Sequence, residues 1–274
     1  MSDARSVDEE TGEADISTTR PKHGAGLGAL LWGFFFYGLI DLLVRFVPFD
    51  DFYETYLLET GWGVLYFILV TVPLLSVMFV PALTSPVTQV ALAGCAVAVA
   101  AVLTQTSMQL LPAGALLLIA GILYVLGPHR TDAPPVAASN TVRWAARIDT
   151  PTLLLTLAAA PPLLWFAAEM VRSARAGLYP NDDITAGFNH WPMQAALPLA
   201  ILAAAGLAAL RQVGWQVSAW TVTVGTAWMG VFSVAYPHHA GSFGRIGGGA
   251  AIVWSILLAA ATLRSAPRTQ PSSA

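Results

Sequence analysis

Long apolar runs alternate with short polar connections along almost the whole chain. Eight runs stand out, near residues 25–47, 62–83, 88–108, 111–127, 151–171, 193–210, 217–236 and 247–264. Most approach or exceed the roughly 20 residues that a helix needs to cross the hydrocarbon of a bilayer. The pattern predicts an all-α, polytopic integral membrane protein of about eight transmembrane helices. The fourth run is short. Only Gln109–Pro112 divides it from the third, so one long broken helix competes with two separate spans.

The polar stretches set the expected organisation. Residues 1–24 are acidic and nearly free of apolar side chains, the composition of a disordered tail. They lack the positive start and early apolar core of a secretory signal, so the first run is expected to be a retained span. Residues 25–127 and 151–264 then form two four-helix halves, joined by a linker at 128–150 and followed by a polar tail at 265–274. The linker opens on Pro134-Pro135, and its 140–148 stretch sets Val142, Trp144 and Ala145 beside Arg143 and Arg147. That mixture suits a short helix lying on a membrane surface.

Composition agrees with the pattern. The chain is 56% hydrophobic and 11% charged, against about 25% charged in soluble domains. Most of its surface is therefore expected to face lipid. No basic run follows a phosphate backbone, which argues against a nucleic-acid partner. A single cysteine, Cys95, excludes an intrachain disulfide and a Cys-based zinc cage. Within an apolar run it reads as a packing residue.

Lys and Arg in the connections predict orientation. With the N-terminus inside, the inner segments hold Arg5, Arg20, Lys22, Arg130, Arg143, Arg147, Arg211, Arg264 and Arg268. The outer segments hold Arg172, Arg175 and Arg245, and Arg45 lies within the first run. The expectation is a cell-membrane protein with both termini cytoplasmic. Loop 48–61 carries Asp50, Asp51, Glu54 and Glu59 without a positive residue, which fits an outer location. Trp62, Trp191 and Trp215 fall at run ends, where indole favours the interface.

The halves share a faint pattern. An acid and an arginine close the first and fifth runs, paired aspartates follow, and tryptophan comes 21 residues after Asp41 and 22 after Glu169. Repeats are common in membrane folds. With four spans each, repeated halves would run parallel.

Polar chemistry collects on the expected outer side. Asp41 and Arg45 lie four apart, and Glu169 and Arg172 three apart, on single helix faces. Ions are costly in hydrocarbon, so such groups either line a cavity or neutralise each other at the interface. The connection around Asp182, Asp183 and Asn189 leads to His190 and Met193, which share a helix face. His238 and His239 follow the seventh run. Imidazole ligates metals and titrates near neutrality. His190, His238 or His239, with Met193 or an aspartate, could therefore hold a transition metal; two histidines could hold haem iron. His–Asp proton relay and simple interfacial hydrogen bonding compete with both. Pro180 and Asn181–Asp183 also suit a turn or helix cap. Gly241–Gly249 lacks the Gly-Lys-Ser/Thr ending of a phosphate loop. Gly244 and Gly248 read instead as small residues at a helix crossing, with Arg245 near the outer surface.

Prolines interrupt several runs: Pro73, Pro161-Pro162 and Pro198. The fifth run, with Pro161-Pro162 and Glu169, is expected to line an internal cavity. The leading functional expectation is a transporter or permease for a small molecule or ion. Its outward-facing polar cavity would be lined by Asp41, Arg45, Glu169 and Arg172, with His190 and His238 or His239 at its mouth. A membrane enzyme or redox protein, with metal or haem at the outer His/Asp cluster, is the alternative. An accessory subunit of a membrane complex is the third reading. The lipid bilayer is the expected partner; a protein partner or homo-oligomer stays open.

Overall fold

A computed structural model describes residues 21–46, 57–127, 148–177 and 189–265. Most of the acidic tail, the 128–147 stretch with its expected surface helix, Asp182, Asp183 and residues 266–274 lie outside these residues. The described elements are helical. In chain order they are α1 (residues 21–46, interrupted), α2 (Leu58–Phe79), α3 (Thr84–Thr104), α4 (Ser107–Leu126), α5 (Thr150–Ala176), α6 (Trp191–Leu210), α7 (Trp215–Ala235) and α8 (Gly244–Arg264). Seven of them, α2 to α8, are long and apolar enough to cross a membrane, by length and composition. This is the architecture of a multi-pass all-α membrane protein.

One expected division holds and one expected span changes. Runs three and four are separate helices. Gln105 takes a left-handed conformation at φ 60°, which stops α3, and a 3-10 turn over Ser107–Gln109 starts α4. The first run, expected as one span, is broken. It is α-helical to residue 30, widens into a π-turn over Leu31–Phe35, and breaks at Phe36-Tyr37. Tyr37 has φ 57°, and helix resumes over Gly38–Leu43 before a final 3-10 turn, Val44–Phe46.

The break persists because α2 approaches it closely. A Cβ on Gly38 would stand 2.7 Å from the Trp32 carbonyl oxygen and 3.2 Å from the Phe67 nitrogen. One on Gly63 would clash with the Leu42 backbone nitrogen. Only glycine lets the two backbones meet there. α2 is irregular too, with π-helical backbone over Val64–Thr71. Thr71 Oγ1 donates to the Tyr66 carbonyl at 2.8 Å within that stretch.

The rest assembles around α6, which packs on α5, α3, α7 and α2. Its buried face is rich in alanine, from Ala195 to Ala209, so neighbouring helices come near. α3 and α7 are joined by buried polar pairs: Ser85 with Ser218 at 2.8 Å, and Gln89 Nε2 donating to Thr221 Oγ1 at 3.0 Å. Such bonds hold helices where no hydrophobic force acts between them. α4, α5 and α8 turn large apolar side chains outward, among them Leu111, Leu118, Leu154, Trp165, Ile246 and Ile256. A surface like this is stable against hydrocarbon and a liability in water.

The sequence expectation for Gly244 and Gly248 holds for one of them. A Cβ on Gly248 would lie 2.7 Å from the Gly230 carbonyl oxygen, so this pair is the α7–α8 crossing. Gly244 faces open space and has φ +70° at the start of α8. Its freedom serves the turn, not the crossing.

Gly63→Ala is expected to cost about 3 kcal/mol through overpacking against the backbone of Leu42. Gly206→Ala, with open space at the Cβ, should stay within about 0.5 kcal/mol or gain slightly from helix propensity. Thermal unfolding of the two variants in one detergent checks the contrast.

Candidate functional site

Buried polar side chains occur at both ends of the bundle; the buried carboxyl and imidazole, Glu59 and His190, lie at the end where α2 and α6 begin and α3, α5 and α7 finish. There Leu57, the residue before α2, is held inward. Leu57 N donates to Ala240 O at 2.8 Å, and Leu57, Leu58 and Glu59 are buried. Glu59 was expected in an outer loop. It lies instead in the first turn of α2, 3% exposed. An acid in that turn faces the positive end of the helix dipole. Asp41, on the resumed part of α1, comes within charge range of Glu59. The Gly63 contact with Asp41-Leu42 brings the two acids to one junction. The expected Asp41–Arg45 face is half described, because the Arg45 side chain lies outside the described residues.

Aromatic rings cluster one turn along α2 from Glu59. Trp62, one turn after Glu59, donates its indole N–H to the Phe36 carbonyl at 2.8 Å, the carbonyl exposed where α1 breaks. Its ring meets His190 edge-on at 4.7 Å and Tyr66 at 5.0 Å. Trp32 stacks on Tyr66 at 4.9 Å and touches Phe36 at 4.3 Å. Tyr66 is fully buried and gives its hydroxyl proton to Met193 Sδ at 3.0 Å. A thioether is a weak acceptor, so this hydroxyl is held by packing as much as by bonding.

α6 packs against this cluster. His190 occupies its N-cap position and is 8% exposed. Asn189 Oδ1 accepts from Trp191 N at 3.1 Å, and Gln109 Nε2 donates to Asn189 O at 3.1 Å, tying α4 to the entry of α6. Gln194, fully buried, lies against Gly61 and donates to Gly241 O at 2.7 Å.

The three expected outer histidines share this end but engage different partners. His190 meets Trp62, His239 meets Tyr236 at 4.9 Å, and His238 is exposed. Among the described residues no three of His, Cys, Asp and Glu converge to hold a metal. Met193, expected as a soft ligand, is fully buried with its sulfur engaged by Tyr66. Arg245 is exposed at the start of α8.

Glu169 and Arg172 form an ion pair at 2.8 Å, with Arg172 63% exposed. Pro161 and Pro162 are both exposed. α5 is therefore a peripheral helix, contrary to the expectation that it lines an internal cavity. Its buried stripe meets α6, while the prolines turn outward. The buried Glu59 and Gln194 side chains sit on α2 and α6 instead.

The opposite end carries a different network. Arg211 Nη2 meets Asp149 Oδ1 at 2.6 Å, Arg211 Nη1 donates to Ser265 O at 3.3 Å, and Ser265 Oγ donates to Asp149 at 3.2 Å. The Arg211 guanidinium also lies 4.6 Å from the Trp215 ring centre. Asp149 caps α5, accepting from Thr152 N at 3.3 Å and from the Thr152 hydroxyl. Four helix ends are thereby tied together. Partial burial pushes the Asp149 carboxyl up, but hydrogen bonds from Thr152 and Arg211 and the Arg211 charge outweigh it, leaving it below the usual range.

Glu59, Trp32, Tyr66 and Gln89 were not legible as site residues. Gly61-Trp62-Gly63 beside an acid was the available signal for a close, buried junction. Gln89 was a lone amide in an apolar run. No protein-family model, curated protein or solved structure matches the chain.

The Asp149 network generates a pH dependence. A carboxyl held below its ordinary 3.8 stabilises the fold fully above that value. The contribution is lost as pH falls through the lower folded value. Asp149→Asn is expected to lower the melting temperature at pH 7 and to flatten its fall below pH 4. Melting curves of both proteins between pH 7 and pH 3 check this; parallel curves would contradict it.

Proposed function

We propose that the protein is a transporter of a small molecule or ion, coupled to a proton carried at the Asp41–Glu59 junction. One observation carries this reading: an interrupted helix, α1, meets a π-widened helix, α2, where the buried Glu59 stands within charge range of the half-buried Asp41. Ionisable groups inside a membrane are expensive and usually functional. Broken spans are the usual places where transporters hold substrate and coupling ions, because unwound backbone offers polar groups at depth. π-segments also concentrate at functional sites.

On this reading Asp41 and Glu59 take up and release the coupling proton. Trp62 holds the broken end of α1 through Phe36 and presents its ring to His190. His190, in edge contact with Trp62, passes protons to the junction. The arginine and lysine distribution supports placing this end outside the cell membrane, with both termini in the cytoplasm. Opening toward the His190 end would make the polar junction the outward-facing cavity.

Glu59→Gln keeps shape and removes the titrating group. In proteoliposomes it is expected to lower flux driven by a pH gradient by about tenfold or more, with the melting temperature nearly unchanged. Substrate flux without any pH dependence in the parent protein, or full coupling in the variant, overturns the proposal. A visible absorption band with stoichiometric metal would favour the redox reading instead.

A further inference from the structure

α2 contains a second irregular point, below the aromatic cluster. Pro73 has no N–H, so it cannot supply the bond that an α-helix would direct at the Leu69 carbonyl four residues earlier. Gln89 of α3 supplies one: its Nε2 donates to Leu69 O at 3.0 Å. The same amide group reaches Thr221 of α7 at 3.0 Å, and Gln89 is 2% exposed. The substitute bond comes from one neighbouring helix, α3, across the site where α2 changes from π-helix to α-helix.

Above this point α2 carries Glu59, Trp62 and Tyr66, packed on α1 and α6. Below it, α2 continues to Phe79 and turns directly into α3. We infer that Pro73, Leu69 and Gln89 form a joint in α2, about which the half carrying Glu59, Trp62 and Tyr66 tilts while α3 and α7 hold the pivot. A π-to-α register change lets a helix bend at little cost, and the missing backbone bond confines the bend to this turn. The side-chain clasp keeps the freed carbonyl satisfied in a dry interior, where an orphan acceptor would be costly. Gln89 is thus a positioning residue for the junction, acting through the α2 backbone. The use of the joint in transport rests on the proposed function; the joint itself does not.

Pro73→Ala restores a backbone N–H and makes the clasp partly redundant. The test is a cycle of Pro73→Ala, Gln89→Leu and the double variant in lipid nanodiscs. Amide exchange over residues 64–71 and melting temperature are the readouts. Gln89→Leu alone is expected to speed exchange there about tenfold and to lower the melting temperature by about 5 °C. Pro73→Ala alone should slow exchange. In the double variant the Gln89→Leu effect should fall by half or more. Thr221→Val, which removes only the clasp's second partner, gives a milder form of the same exchange change if Gln89→Leu does not fold. Equal Gln89→Leu effects in both backgrounds, or unchanged exchange in Pro73→Ala and Thr221→Val, overturn the joint whatever the flux does. If exchange responds as expected but no variant or parent moves protons in liposomes, the joint stands and the transport reading falls.

Discussion

The approach of α1 to α2 at Gly38 and Gly63 is the constraint on which the rest of the molecule depends. Two backbones meet there with no side chain between them. That proximity prevents α1 from running straight and exposes the Phe36 carbonyl to Trp62. It also sets Asp41 beside Glu59. In water a frayed helix end is repaired by solvent. Inside an apolar bundle every freed polar group must find a protein partner, and the structure supplies them: Trp62 for Phe36 and Gln89 for Leu69. Irregular backbone and buried polar side chains are therefore one phenomenon, each requiring the other.

The two ends of the bundle solve different problems. At the Asp149 end, charge is paired and spent on joining helix termini: Arg211 reaches Asp149, Ser265 and the Trp215 ring. At the His190 end, Asp41 comes within charge range of Glu59, and indole, phenol and imidazole rings cluster on one another nearby. Pairing opposite charges lowers free energy, and burying an ionisable group raises it. The proposed function rests on the buried Glu59 and its nearness to Asp41.

The peripheral helices show what the bundle does not use. α5 has two internal prolines and an ion pair, the features that first draw the eye in the sequence, yet both prolines are exposed and Arg172 is mostly so. A proline on an outer face bends a helix around its neighbours without opening a path through them. The same residue type at position 73 faces the core and calls for Gln89. Location, not residue identity, decides which kink is structural and which sits at a pivot.

Much of the architecture was legible from residues alone. Runs of about 20 apolar residues with few charges have one physical outcome, because hydrocarbon leaves helices as the only economical way to satisfy the backbone. The all-α class, the spans and the gathering of His190, His238 and His239 at one end follow from that. Which of the scarce polar groups meet was not legible. Asp41 was visible, but its neighbour Glu59 read as a loop residue, since helix starts are uncertain by a turn in an apolar boundary. Glu169 and Arg172 were visible as a pair, but not that they face outward. Met193 looked like a ligand until Tyr66, 127 residues away in the chain, proved to hold its sulfur. Span hydrophobicity is a local property, read from consecutive residues. Helix rotation and crossing depth are settled by contacts between distant glycines, and only the folded chain brings those together.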